Sequence, residues 1–424
     1  MKRIILIVGS TETLEYFSLQ LAKSYLDAGR EVFLWDMGHP SASIEAFEKL
    51  GDPGNSVLIT FNFIGLCAEG QFGVGLGSIW DEFSIQKICI LVDSPVYYYR
   101  QLSSGIENLK LVCIDRYHAE FLRENYPEYG EVTFMPLAGN VPVCDLWRKP
   151  GIITQDNIGI FSMGSGTSHS MEPYEEWRKR RLDALFIGNY VPLDDLQPSL
   201  ARLGPEYKEF IMDIANDLLD HPAMPLEKML MKRLKEEFPD STHDEYMMAC
   251  YQMVFIDLYV RNVYRGKIVT ALADSGIKVF CTGKDWDKAP CKHPENLIHT
   301  GDSVISLQCL QALSQAKVSI NMMPWFKAGA HDRVFSSMLQ GCALLSDSSE
   351  YLDQVITPGV DYERFPLLSA DETAAHAASL AQALLADQER AYKIACAGHR
   401  TAESGHLWSH RARVLESHGG IKPE

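Results

Sequence analysis

A lone arginine, Arg333, stands in the stretch AHDRVFSSMLQGCALLSD, residues 330–347, just inside a helical pattern that leads into an apolar strand. A guanidinium at a helix N-terminus suits an anion: the free backbone N–H groups and the helix dipole attract it, and the planar fork grips two of its oxygens. His331 precedes the arginine by two residues. A structural ion pair of Arg333 with Asp302 or Glu350 is an equally open reading. The stretch VFCTGKDW, residues 279–286, ends a strand in Gly283 and continues with Lys284, a turn whose amides and ammonium can meet a phosphate oxygen. LFIGNY ends another strand in Gly188-Asn189, so three strand ends offer glycine or cation toward one edge.

Other combinations are weaker. The first turn, VGSTETLEY, has Gly9 where a dinucleotide fingerprint begins, and Asp36 closes the second strand as a ribose-binding acid would. Thr11 and Leu14 occupy positions where that fingerprint needs glycine, which argues against a nicotinamide cofactor. HLWSH sets His406 and His410 four apart, a metal-compatible spacing, but no glutamate or third ligand accompanies them, and a packing helix anchored by Trp408 is the simpler reading. The glycine-rich FGVGLGS, 72–78, is a ligand cradle or a flexible loop. Asp93 in LVDSP and His118 are candidate general bases; Asp93 is equally a turn residue before Pro95, and His118 equally a helix-surface residue.

The elements that must hold these residues follow from periodicity. KRIILIVGS is a strand; the next stretch repeats apolar residues at 14, 17, 21, 25 and 26, a helical stripe closed by Gly29; EVFLWD is a strand again. That order recurs through SVLITFNF, ICILVDSP, KLVCID and VTFMPLA, which predicts a parallel sheet covered by helices on both faces. Residues 1–160 therefore form one Rossmann-like domain, 161–181 a linker rich in Gly, Ser and charge, and 182–400 a second such domain with a Met-rich helical insertion at about 194–265. Residues 401–424 form a C-terminal helix expected to pack back on the first domain. The insertion carries Met212, Met224, Met229, Met231, Met247, Met248 and Met253, either an adaptable binding face or a helical core.

At 424 residues the chain is long enough for two cores. A net charge of −17 argues against general binding to nucleic acid or anionic lipid. No apolar run approaches a membrane span, so an integral membrane protein is not expected. The ten cysteines lack CxxC spacing and read as buried free thiols in a reducing cytoplasm, with disulfides permitted by the even count if the chain is exported.

Taken in order, the motifs resemble the spore-maturation CgeB-like glycosyltransferases, within the nucleotide-sugar glycosyltransferases of GT-B fold. The likeness rests on LFIGNY, on the arginine-bearing helix and strand YVRNVYRGKIVTALADSGIKVFCTG, on VSINMM, on RVFSSMLQGCALLSD and on HLWSHRARVL, with LVDSP in the first domain. It is firmer over 182–416 than over 1–150. The resemblance implies two Rossmann-like doubly wound domains facing across a cleft, a nucleotide diphosphate-sugar of UDP, GDP or dTDP type held mainly by the second, and a protein or glycan-precursor acceptor held by the first. It assigns the donor to Gly188, Asn189, Gly283, Lys284, Asn321, His331 and Arg333, with Arg333 on the diphosphate and no metal required. The acid that holds the ribose in this family falls at Ser336, which cannot supply a carboxylate; Glu350 or Asp347 would have to substitute. That departure leaves a second expectation open, a catalytically impaired relative that binds a nucleotide, glycan or protein.

Overall fold

The computed structural model describes residues 2–66, 77–144, 150–153, 161–162, 171–200, 203–302 and 304–419. Most of the glycine-rich segment 72–78, and 163–170 of the linker, lie outside the described residues. The chain divides into two compact units, Met1–His169 with Gly405–Glu424, and Ser170–Ser404.

In the first unit the short β-branched and apolar runs form β1 (Arg3–Val8), β2 (Val32–Asp36), β3 (Ser56–Phe61), β4 (Gln86–Leu91), β5 (Leu109–Cys113) and β6 (Thr133–Phe134). Intervening helices are α1 (Glu12–Asp27), α2 (Pro40–Glu48), α3 (Gly77–Glu82), α4 (Tyr99–Leu102) and α5 (Arg116–Asn125). The sequence predicted a longer strand over VTFMPLA; pairing stops at Phe134 and Met135 because Pro136 has no N–H to donate. The remaining strands of this unit are β7 (Val143–Cys144), β8 (Gly151–Ile153) and β9 (Phe161–Ser162). The sheet order is β6-β5-β4-β3-β1-β2-β8, parallel throughout except for β8, a three-residue antiparallel edge that the sequence reading did not anticipate.

The second unit opens with α6 (Tyr174–Trp177) and β10 (Leu182–Ile187), then runs through helices alone: α7 (Leu193–Leu200), α8 (Pro205–Asp220), α9 (Leu226–Glu237), α10 (His243–Gln252) and α11 (Val254–Asp274). Thr242 and Glu245 form a capping box at the start of α10. Met229, Met247 and Met253 are buried between these helices, while Met248 is exposed, so much of the methionine stripe is core. Then follow β11 (Val279–Thr282), β12 (Leu297–His299), α12 (Ser306–Leu313), β13 (Ala316–Asn321), α13 (Asp332–Leu339), β14 (Ala343–Ser346), α14 (Leu352–Val355), β15 (Glu363–Arg364), α15 (Ala370–Ala386) and α16 (Gln388–Gly405). This sheet is parallel, in the order β12-β11-β10-β13-β14-β15. The chain winds outward from β10 to β12 and then crosses back to β13, so β10 and β13 flank the topological switch point, where a doubly wound sheet opens a crevice at its carboxyl edge.

The last helix, α17 (Trp408–Gly419), belongs to the first unit and packs on α1. Trp408 lies with its ring centroid 5.2 Å from that of Phe17 and 6.1 Å from that of Phe61, and its indole N–H reaches Asn140 Oδ1 at 2.8 Å. Among the described residues no helix is long and apolar enough to cross a membrane. Eight described cysteines are free thiols, five of them buried.

Candidate functional site

Register puts Ile187, Thr282 and Asn321 at the carboxyl ends of neighbouring strands, with Gly188 and Gly283 one residue beyond. The two glycines are required by proximity. A Cβ on Gly283 would stand 2.5 Å from Gly188 O, and both residues have positive φ, +142° at Gly283 and +147° at Gly188. Their amides differ from the sequence expectation of a phosphate cradle. Gly188 N–H donates to Thr282 O at 2.9 Å, Gly283 N–H to Thr300 Oγ1 at 3.2 Å, and Lys284 N–H to the Asn189 side chain at 3.0 Å. These donors are spent tying neighbouring turns together, and Asn189 and Lys284 are the exposed residues there.

What the turns present is cationic. Asp257, Arg261 and Arg265 recur at four-residue steps on α11 and share one face. Asp257, 2% exposed, takes Arg261 in a two-pronged pair through Nε, at 3.0 Å, and Nη2. Arg265 donates Nη1 to Asn189 O at 3.2 Å, and its Nε has no partner among the described residues. Arg333 extends from the first turn of α13 to donate Nη1 to Ile187 O at 2.5 Å and Nη2 to His331 Nε2 at 3.3 Å, rather than to Asp302 or Glu350. Both guanidiniums flank the β10 turn: a Cβ on Gly188 would lie 3.4 Å from Arg333 Nη1 and 3.8 Å from Arg265 Cζ.

Electrostatics marks the same spot. Burial, then repulsion from Arg333 and Arg261, depresses the Arg265 guanidinium well below its ordinary range, opposed by Asp257. Burial also lowers Arg333, against the pull of Asp332. His331, 6% exposed, is held far below the usual imidazole value by burial and then by Arg333, with Arg265 and Arg261 adding to it, so the ring is neutral. The two buried carboxylates near the cluster are both committed. Asp257 binds Arg261, and Asp347 accepts the Met323 N–H on both oxygens, at 2.9 and 3.0 Å, tying the end of β14 to the loop after β13. Crowded guanidiniums with their carboxylates spent are a site that an arriving anion stabilises.

Of the remaining residues named from the sequence, Asn321 is buried and donates to Ser346 Oγ at 2.9 Å, leaving its Oδ1 without a partner among the described residues. Ser336 is 2% exposed on the inner face of α13. Glu350 is exposed, and its backbone N–H meets Lys327 O at 2.8 Å, on the loop that leads to His331. In the sequence Arg261 and Arg265 enter only as part of the arginine-bearing helix YVRNVYRGK, with no role of their own. Only the count of committed carboxylates distinguishes them.

In the first unit Asp93 lies just beyond the end of β4, with Oδ2 receiving Asn62 Nδ2 at 3.0 Å and Tyr98 Oη at 3.3 Å. Asn62 is itself fixed, its Oδ1 accepting Val92 N–H at 3.0 Å, and it and Phe63 adopt successive left-handed conformations, φ +49° and +60°. Burial and the neighbouring Asp93 raise Tyr98, which stays a phenol donor. His118 is 1% exposed in α5, a core position rather than a helix-surface one. Asp36 is folded into its own turn, accepting Gly38 N–H at 2.8 Å and meeting His39 Nδ1 at 2.7 Å. His410 Nδ1 accepts Leu407 N–H at 3.1 Å, and His406 Nδ1 stands 3.2 Å from Arg411 Nη2, with burial and Arg411 driving its pKa down to about 3. Both histidines serve the start of α17.

Comparison with known proteins agrees with this layout. Residues 265–417 match a family model described as glycosyl transferase-like. No curated protein matches the chain. Among solved structures, sucrose-phosphate synthase from Thermosynechococcus elongatus has a TM-score of 0.51 at 11% identity, covering 99% of each chain. A glycosyltransferase from Rickettsia africae gives 0.48 at 9% identity, covering 100% of this chain and 99% of that one. Anabaena HepE in complex with UDP-glucose gives 0.49 at 9% identity over 100% of both. The first of these likenesses establishes the fold, two parallel-sheet α/β domains of GT-B type. The family match runs from Arg265, midway along α11, to residue 417, and with it the protein is an enzyme that transfers sugars.

Proposed function

We propose that the protein moves a sugar from a nucleotide diphosphate-sugar donor to an acceptor hydroxyl, with the diphosphate held between Arg265 and Arg333. The observation that carries this reading is the cation cluster at the end of β10, whose two buried carboxylates are spent and whose Arg265 Nε lacks a partner among the described residues. As the bond between the anomeric carbon and the diphosphate breaks, negative charge grows on the leaving oxygens. Fixed guanidiniums in a partly desolvated site stabilise that charge more than they stabilise the ground state. The N-terminus of α13, which has no side-chain cap, adds its dipole, and the Lys284 ammonium adds a mobile cation. A metal is not needed for this chemistry.

Asp93 is the base we assign to the acceptor hydroxyl, since Asn62 and Tyr98 fix its carboxylate through one oxygen, whereas His118 is enclosed. With Ser336 buried, the ribose falls to Glu350, the exposed acid beside the loop that carries His331. The bonds of Asp347 to Met323 support Glu350 over Asp347 in that role. We assign the acceptor side, for a protein or glycan precursor, to residues 1–160 and the donor side to 182–400, in a cytoplasmic enzyme of CgeB-like type; the free thiols favour a reducing compartment.

The test is release of nucleoside diphosphate from UDP-, GDP- and dTDP-sugars by purified protein. Turnover should fall about 10²–10⁴-fold in Asp93→Asn with donor affinity retained, the range for loss of a general base. The rival reading, an inactive binding relative, draws on the serine at 336. It gains if donors bind and no sugar is released or transferred.

A further inference from the structure

We propose that His331 takes up a proton when the diphosphate of a nucleotide sugar enters the arginine cluster, and holds that anion as an imidazolium. The inference rests on the diphosphate reading above and adds to it a residue that changes charge with its ligand. It is carried by a conflict at one nitrogen. His331 Nε2 stands 3.3 Å from Arg333 Nη2 and 3.4 Å from Met322 O. A guanidinium N–H can only donate and a carbonyl can only accept. The other nitrogen, Nδ1, is buried without a partner among the described residues.

Neither neutral tautomer meets these demands. With Nε2 bare, it accepts from Arg333, but Nδ1–H is a buried donor with nothing to receive it. With the proton on Nε2, Met322 O is served while two donors face each other across 3.3 Å and Nδ1 is a buried lone pair. The imidazolium satisfies every group once an anion is present. Nε2–H donates to Met322 O, Nδ1–H donates to the ligand, and Arg333 is released to turn its fork onto the same anion. One proton comes from solvent to Nε2, and no other bond is made or broken.

The charged groups around the ring account for the direction. Arg333 and Asp332 lie on its own helix, Arg261 and Arg265 face it from α11, and Lys327 and Asp347 bracket the loop before it. Burial and the arginines by themselves keep the imidazole neutral. A diphosphate reverses the sign of the local field and raises the proton affinity of the ring. Since the bound state holds the extra proton, affinity is higher at low pH and weakens as pH rises, by up to about tenfold per unit. Asp347, which burial pushes up to about 6, titrates in the same window and needs its own control.

The experiment is calorimetric titration of the full-length protein with UDP-glucose and with GDP-mannose at pH 6, 7 and 8, in two buffers of different protonation heat. The diphosphate diesters of both probes do not themselves titrate in this range. We expect uptake approaching one proton per ligand and a Kd that rises several-fold or more per pH unit, with both effects absent in His331→Gln and retained in Asp347→Asn. Wild-type binding without pH slope or buffer dependence overturns the proton uptake and leaves the diphosphate site standing, as does a slope that survives in His331→Gln. Binding of neither probe at any of the three pH values overturns the diphosphate reading itself. Should His331→Gln fail to fold, the wild-type buffer dependence and Asp347→Asn still decide between the histidine and the aspartate.

Discussion

Arg265 is the residue whose cost and use separate most clearly. Its guanidinium is desolvated beside Arg333 and Arg261, and Asp257, the carboxylate that opposes their repulsion, is already paired with Arg261. Replacing it by an apolar side chain of similar length therefore removes repulsion and desolvation from the ligand-free protein. Arg265→Met is expected to leave thermal stability unchanged or raise it by a few degrees, while weakening nucleotide-sugar binding about 10–150-fold, the range for loss of a charged hydrogen bond. Unfolding scans with and without donor read both effects, and a large loss of stability in the variant contradicts the claim that the cluster is strained. A residue of similar appearance behaves oppositely. Asp347 follows β14 as Asp93 follows β4, but its two oxygens both take one backbone N–H. Burial raises its folded pKa to about 6, above the unfolded value near 4, so the folded state binds the proton first. Relative to Asp347→Asn, wild type should gain stability as pH falls from 7 to 4, by an amount on the order of 2–3 kcal/mol, and lose it again as pH rises through 6. Parallel stability curves for the two proteins would remove that assignment.

Elements place these residues, and the strand ends were what the sequence made legible. Gly188, Gly283 and Asn321 each close an apolar run with a residue that breaks or caps it, and an arginine opens the helix after β13, so a common edge could be inferred from order alone. Arg265 was not legible, because its helix gives no clue that the opposite partner is missing; that fact belongs to tertiary packing. The role of the Gly283 turn was misread for a related reason. Its amides look available in sequence, but the side chains of Thr300 and Asn189 in neighbouring turns consume them. Gly283→Ala must displace Gly188 O from 2.5 Å and hold an alanine at φ +142°. The expected loss is about 1–3 kcal/mol or more, with weaker nucleotide binding because Arg265 and Arg333 lean on the same turn. Denaturant unfolding that leaves the variant level with wild type would mean that the two turns are not locked together. His118 is a case where the helical period already held the answer: Leu122, four residues on, is buried on the same face of α5.

At the scale of the whole molecule, two α/β units of different strand order carry unlike edges. The first presents an oriented carboxylate at Asp93, and the second presents the crowded guanidiniums of Arg265 and Arg333. The alternation of strand and helix announced both units, whereas the short edge strands β8 and β15 did not, since two or three residues carry no periodicity. The chain completes the first unit only at its last helix, where Arg411 donates to Pro136 O at 2.7 Å and Leu137 O at 3.0 Å, and Trp408 fills the space beside Phe17. Trp408→Ala is expected to destabilise that unit by about 3–5 kcal/mol, read as an earlier unfolding transition, without altering donor affinity in the folded protein. The central claim concerns the anion. Equilibrium titration of UDP-, GDP- and dTDP-sugars into wild type, Arg265→Met and Arg333→Met tests it most directly. The account predicts binding of at least one donor by wild type and a loss of roughly tenfold or more in each folded variant; equal affinity in all three proteins would contradict it.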